Sequence, residues 1–327
     1  MSFADQPTPR EPDRRPPVTL LETFGLAPLP LRAREAWLAV RGDSSVPATR
    51  FGLSSLGIFH PALSLRTWLG GRRADRRVPI SCLFNRTPTP LEDGWSVKKT
   101  QVADFRGGTL TYDSHNGTDF AVPVGTVVVA AAPGKVLRIS SEFNRGGLKI
   151  FIDHGRGLVT TSNHLARALV GVGDVVARGE PIALSGYSGI DALVAFPWSV
   201  PHVHFNVWLD GDYVDPFAAP GETSLWVGGN EARPADAVAD DEAGAHTAWD
   251  ELAVLAAIET CTDAASRAAL LREPDLGRRA MDVLFLRNYY PTRFAARPPL
   301  YRERHARQPW LTLPFRAQEF EGIAFAQ

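Results

Sequence analysis

Between Ile80 and about Phe217 the chain is built from short runs rich in valine, isoleucine and threonine, among them TVVVAAA, GKVLRIS, LKIFIDH, GLVTTSNHL and HVHFNVWL. Glycine-bearing turns separate them: Gly125, Pro133-Gly134, Gly146-Gly147, Gly155 to Gly157, Gly171 to Gly173 and Gly179. β-branched residues in short runs bounded by turn formers predict strands, and no interval between them is long enough for a crossover helix, so an antiparallel β domain is expected over 80–217. In HVHFNVW the alternation places His202, His204, Asn206 and Trp208 on one face and turns Val203, Phe205 and Val207 into the core.

The flanks have a different texture. Residues 1–18 are dominated by proline and charge and read as a disordered tail, and 19–79 as an N-terminal extension with a short helix near Leu31 to Val40. The basic cluster Arg72, Arg73, Arg76 and Arg77 has no interleaved aromatics and reads as a solvated loop. After Pro216 a glycine- and acid-rich stretch, 218–244, reads as a linker or long loop. Over 245–327, apolar residues at helical spacing (Trp249, Leu252, Leu255, Ala256, Ile258, then Ala269, Leu270, then Met281, Leu284, Phe285) predict two or three helices that pack rather than bind. Thr262 or Asp263 would cap the second, Pro274 and Gly277 would break the array before the third, and the proline-rich end would run extended along the body. The fold class expected is α+β.

A length of 327 residues with 44% hydrophobic content suffices for a sizeable core. With 35 basic against 36 acidic residues there is no field of one sign to attract nucleic acid. The two cysteines, Cys82 and Cys261, lack the number and spacing of a cysteine zinc site, so a metal would fall to histidine and carboxylate. No apolar run is long enough to span a bilayer, and the N-terminus lacks the apolar stretch of a secretory signal.

Candidate chemistry lies in the histidines. Of eight, five lie in the β region, and four of these, His115, His164, His202 and His204, stand beside turns or at a strand edge as candidates, with Asp119 four positions after the first. Hydrolytic zinc takes three protein ligands from histidine and carboxylate and keeps a position for water, so these five residues supply the ligands with imidazoles to spare. Gly117 between His115 and Asp119 argues for a turn into a strand rather than a helix. His60, His246 and His305 read as ordinary surface or core residues, His154 as part of a hairpin, and Asp153, Asp174 and Asp215 as turn and strand-end residues.

The ordered phrases HNGTDFAVPVGTVVVAAAPGKV, IDHG, NHL, VGVGDVVARGEPIALSGYSG, PHVHF and VDPF, over about residues 110–217, resemble the lysostaphin-type (LytM-like) zinc metalloendopeptidases. The resemblance implies that the HxxxD pair, His115 and Asp119, and the second histidine of HxH, His204, hold Zn2+. It also implies that His202 and His164 flank the metal-bound water and the substrate carbonyl, with His202 as general base and His164 orienting water or the oxyanion. The substrates implied are the peptides that cross-link bacterial peptidoglycan, which lies in the periplasm or outside the cell. Ser162 stands where the family often has tyrosine, Tyr112 is read as strand packing, and Asn116 has no expected role. A non-catalytic wall-binding or hydrolase-regulating module of the same fold, and a peptidase acting on protein inside the cell, are the alternatives; the apolar lead-in Ser188 to Val200 is a candidate wall of the groove.

Overall fold

The computed structural model describes residues 16–43, 47–87, 89–90, 94–190, 195–237, 247–301 and 303–326. The tail call on residues 1–15 and His246 lie outside them. The body is one twisted sheet whose strands follow in the order β11 (Gly322–Phe325), β1 (Arg77–Cys82), β2 (Thr118–Ala121), β9 (His202–Leu209), β6 (Leu158–Ala168), β5 (Gly147–Asp153), β4 (Gly134–Glu142), β7 (Val175–Val176). β3 (Val127–Val129) and β8 (Pro181–Ser185) pair off β6, and β10 (Asp212–Tyr213) pairs with β9. Every pairing is antiparallel except one: the C-terminal β11 runs parallel to β1, with Val78 beside Ile323. The extended C-terminal chain therefore ends in a strand of the sheet, and with six α-helices in the flanks among the described residues the class is α+β.

Side-chain alternation gives the sheet two apolar faces. On one, Ile80, Phe120, Val203, Phe205 and Val207 pack with Trp226, Leu313 and Phe315. Trp226 is fully buried, its ring stacked on Phe205 at 5.8 Å. The described part of the 218–244 stretch is thus core at this point rather than a free loop. On the other face, Phe151, Val159 and Trp208 pack against three helices, α4 (Glu251–Glu259), α5 (Ala264–Arg272) and α6 (Leu276–Tyr289), through Val254, Ile258, Met281, Leu284 and Phe285. Side chains of Asp250, Asp263 and Asp275 cap these helices by accepting first-turn N–H groups. Helix α6 begins before Gly277, so that glycine lies inside the helix and the break falls at Pro274 and Asp275.

Helices also cover part of the sheet from the N-terminal side. α1 (Leu20–Phe24), α2 (Leu29–Arg41), a 3-10 turn (Leu53–Ile58) and α3 (Pro61–Trp68) run past β6, β8 and the approach to β9. Phe24, Trp68, Tyr187 and Phe196 form an aromatic cluster with Trp68 edge-on to Tyr187 at 5.1 Å. The Ser64 hydroxyl donates to the carbonyls of Pro197 and Ser199, tying α3 to the segment that leads into β9. The arginine cluster bridges chain ends rather than standing in solvent alone: Arg72 pairs with Glu319 at 2.7 Å, Arg76 pairs with Glu321, and Arg77 opens β1.

Candidate metal centre and the comparisons

The site follows from register. Across four strands, Cys82 stands opposite Asp119, Asp119 opposite His204, and His204 opposite Asn163. Directly opposed residues in antiparallel strands share a face, so one row carries Cys82, Asp119, His204 and Asn163. His202, two residues from His204 and opposite Ala121, shares that face. Further along β9 the same face carries Asn206 and Trp208, and Trp208 lies under α6. The helices thus cover one end of this face and leave the histidine end as a cleft.

His115 enters from the turn before β2. Its Nδ1 faces the Leu83 carbonyl at 2.6 Å, which makes Nδ1 the donor and directs the lone pair of Nε2 inward. Nε2 lies 3.0 Å from Asp119 Oδ1 and 3.2 Å from His204 Nδ1, and His204 Nδ1 lies 2.7 Å from the same Oδ1. The turn has no room for a side chain at its centre, since a Cβ at Gly117 would fall 2.7 Å from His204 Nε2 and 2.8 Å from the Phe205 carbonyl.

The far nitrogen of His204 is held by amides. His204 Nε2 lies 2.9 Å from Asn206 Nδ2 and 3.3 Å from Asn116 Oδ1, and Asn206 Nδ2 also donates to the Asn116 carbonyl and Asn116 Oδ1 at 2.9 Å. Asn206 Oδ1 in turn accepts from Asn163 at 2.8 Å and from the Tyr289 hydroxyl at 3.3 Å, and the same hydroxyl donates to Asn163 at 3.0 Å. Asn116, given no role from sequence, thus contacts the ligand candidate, and Tyr289 brings the C-terminal helix α6 into the same network.

His164 could not be placed by alternation. Asn163 already occupies the cleft face, so an unbroken β6 would turn His164 to the other side. Its φ of +59° and the register shift beside it swing the ring back, as β-bulges do. The His164 ring sits 4.8 Å from that of His202. Its Nδ1 donates to the Ser188 carbonyl at 2.8 Å, and His202 Nδ1 donates to the Val200 carbonyl at 2.7 Å, so both present Nε2 to the cleft. His202 Nε2 is 3.7 Å from Asp119 Oδ1. The five residues singled out from sequence are therefore gathered in one place. Tyr112, read as strand packing, stacks at 4.6 Å on His115 and lines the cleft.

Burial pulls the His115 imidazole down, but the Asp119 carboxylate outweighs it and holds His115 well above its ordinary value. Burial likewise pushes Asp119 up, and His115 and His202 overcome it, keeping the carboxylate well below its usual range. His164 is driven well below 6.5 by burial and by its histidine neighbours, and His204 is lowered by burial. His115 and Asp119 thus favour each other's charged forms, while burial disfavours the charged forms of His164 and His204.

Three lone-pair atoms within 2.7–3.2 Å of one another match the donor set of a cation site, and zinc at about 2.0–2.1 Å from N and O ligands places tetrahedral ligands only slightly farther apart. The Cys82 thiol is also within 4.8 Å of ligand atoms of His115 and Asp119. Burial raises its pKa and keeps it a neutral thiol, so the set of two imidazoles and a carboxylate is the better fit. Both cysteines are free and buried.

The other histidines stand apart. His154 has both nitrogens occupied, Nδ1 by the Pro133 carbonyl at 2.9 Å and Nε2 by Thr160 Oγ1 at 2.8 Å. His305 pairs with Asp210 at 2.6 Å, and His60 precedes α3. Asp153 and Asp215 accept N–H groups of Gly155 and Phe217, as turn residues do.

The sequence profile described as Peptidase family M23 matches residues 113–216, a stretch holding all five site residues. Residues 113–216 form an M23 domain of the LytM-like kind. The chain is 36% identical over 147 residues to the peptidoglycan DD-endopeptidase ShyB of Vibrio cholerae, covering 45% of this chain and 30% of that protein. It is also 36% identical over 93 residues to the murein hydrolase activator EnvC of Escherichia coli, covering 28% of this chain and 20% of that one. A crystal structure titled as a zinc-containing peptidase from Vibrio cholerae aligns at 29% identity and a TM-score of 0.31, over 44% of this chain and 39% of that one. The chain spans about a fifth to a third of the length of the first curated relatives it matches, and the likeness is to their M23 domains. Among the described residues no helix is long and apolar enough to cross a membrane.

Proposed function

We propose that this protein is a zinc endopeptidase that cleaves the peptide cross-links of bacterial peptidoglycan. The observation that carries the reading is the convergence of His115 Nε2, Asp119 Oδ1 and His204 Nδ1 with two further imidazoles presenting Nε2 to the same cleft. Zinc, when bound by these three residues, supplies Lewis acidity that acidifies water and polarises a carbonyl.

The protein's own groups do the rest. Asp119 and the Leu83 carbonyl orient His115, while Asn116 and Asn206 hold the far nitrogen of His204 so that its Nδ1 faces Asp119. His202, held by Val200 and close to Asp119, is the general base, its Nε2 accepting the proton of the attacking water. His164, kept neutral by burial and with its Nδ1 hydrogen on the Ser188 carbonyl, orients the water through its Nε2 lone pair, and His202 passes the proton it has taken to the leaving amine. Relatives named as DD-endopeptidases support the substrate, and the full complement of five residues favours catalysis over the activator role named for EnvC.

The test is zinc content by elemental analysis together with peptide release from purified peptidoglycan by wild type and His204→Ala. About one zinc per chain and release that both vanish in the variant support the reading. A zinc-free wild type, or stoichiometric zinc without cleavage, overturns it in favour of a non-catalytic module or another substrate.

A further inference from the structure

The cleft holds a donor that the mechanism leaves unused. Its cavity, 340 Å³ in volume, has Asp119, His164, His202 and His204 on one side and Val40, Phe51 and Leu56 of the N-terminal segment on the other, and Cys82 lines it as well. The sheet fixes the place of this cysteine. Cys82 ends β1 directly opposite Asp119, which stands opposite His204, so the thiol shares the face that carries both ligand candidates.

Distance agrees with register. The Cys82 sulfur, a ring nitrogen of His115 and a carboxylate oxygen of Asp119 all lie within 4.8 Å of one another. The Leu83 carbonyl is 4.0 Å from the sulfur, too far for a weak S–H donor to be pinned by it. Cys261, by contrast, donates to the Asp263 carbonyl at 3.5 Å beside the N-cap of α5. Three ligands leave a tetrahedral zinc one further position, which an open site gives to water. Sulfur and nitrogen bound to the same tetrahedral zinc stand roughly 3.5 Å apart, so a turn about χ1, the torsion that moves the sulfur, carries Cys82 into that position.

We infer that Cys82 is a reversible fourth ligand, whose thiolate caps the metal held by His115, Asp119 and His204 and closes the water position until substrate displaces it. The inference rests on the metallopeptidase reading and adds to it a regulation of the same site. In capping, a metal–sulfur bond forms as the S–H bond breaks, and the proton leaves to solvent because a coordinating thiol is held as thiolate. On release the sulfur regains a proton from solvent and water takes its place on the metal. No oxidant or reductant takes part. The capped protein holds its ion more tightly than three ligands alone and turns over more slowly.

Cobalt(II) exchanged into the full chain reads the cap directly, because a soft thiolate donor gives an intense sulfur-to-cobalt charge-transfer band in the near ultraviolet that nitrogen and oxygen ligands lack. The expected result is about one cobalt per chain throughout, with the band present in wild type and Cys261→Ser and absent in Cys82→Ser and Cys82→Ala. In chelator competition, zinc affinity should fall by about tenfold or more in both Cys82 variants, while peptide release per bound zinc rises by about twofold or more. Cobalt bound by wild type without the band overturns the cap, whatever the variants do, and leaves the three-ligand site standing. Failure of wild type to take up cobalt overturns the cap and the metallopeptidase reading together. The band in wild type, with no peptide release from wild type or from Cys82→Ser, supports the cap and counts against the peptidase reading.

Discussion

The two segments that flank the M23 domain both lay helices against its sheet, and they do so in opposite ways. In the C-terminal segment Leu252 and Leu271 are exposed but the rest of the apolar stripe is buried: Val254, Met281, Val283 and Leu284 have essentially no exposure, and Phe285 caps Phe151 edge-on at 5.8 Å. In the N-terminal segment, Leu29, Trp37, Val40, Phe51, Leu53 and Leu56 stay in water. The first is a second hydrophobic core that closes one end of the catalytic face. The second spends its apolar surface on a cleft. Burial separates the two segments, although both lay helices against the same sheet.

The largest effect should come from the buried side. Phe285→Ala removes a filled aromatic position and should cost about 3–5 kcal/mol of stability in chemical denaturation; a loss under 1 kcal/mol would mean the C-terminal helices are not integral to the core. Acid should act next, through the opposite face of the sheet. Burial lowers the His154 pKa from 6.5 to about 4. The folded form therefore keeps this ring neutral while the unfolded chain protonates it below pH 6.5. Its contribution is full above that value and is lost as pH falls from 6.5 through 4, up to about 3 kcal/mol. His154→Asn should flatten that part of the pH–stability curve, and an unchanged slope would remove His154 as its cause.

A smaller effect tests the one thread joining the C-terminal helices to the metal centre. Tyr289→Phe deletes the donor to Asn163 and Asn206 and should weaken zinc affinity by about tenfold in chelator competition, at a stability cost near 1 kcal/mol. Unchanged zinc affinity would make the network purely structural. The smallest effect belongs to the exposed flank: Leu53→Ser should change stability by less than about 0.5 kcal/mol, and a core-sized loss there would erase the contrast between the segments.

Much of this was legible because it is local. The period-two pattern of HVHFNVW put His202 and His204 on one face, and turn glycines marked the strand ends of the antiparallel domain. What stayed hidden depends on tertiary placement or on departures from regularity. Nothing in the period of β6 signals the left-handed residue that returns His164 to the cleft; its place beside turns made it a candidate, and the family resemblance gave it a role. The parallel pairing of β11 joins residues more than 240 positions apart. Trp226, inside a stretch that looks like linker, is placed by contacts with Phe205 and Phe217 that no window around it contains. The contact of Asn116 with His204 and the cleft wall made by Val40, Phe51 and Leu56 are equally non-local; an exposed aromatic amid glycine and serine at 51–57 was the available hint.

The row of Cys82, Asp119, His204 and Asn163 draws one residue from each of four neighbouring strands. Sliding any one strand by a single residue would turn its member of the row to the opposite face. Zinc occupancy would then act as a proofreading mark: a chain that holds the ion tightly has already threaded β2 and β9 in the right alignment, and metal retention during refolding would count correctly assembled molecules rather than merely compact ones.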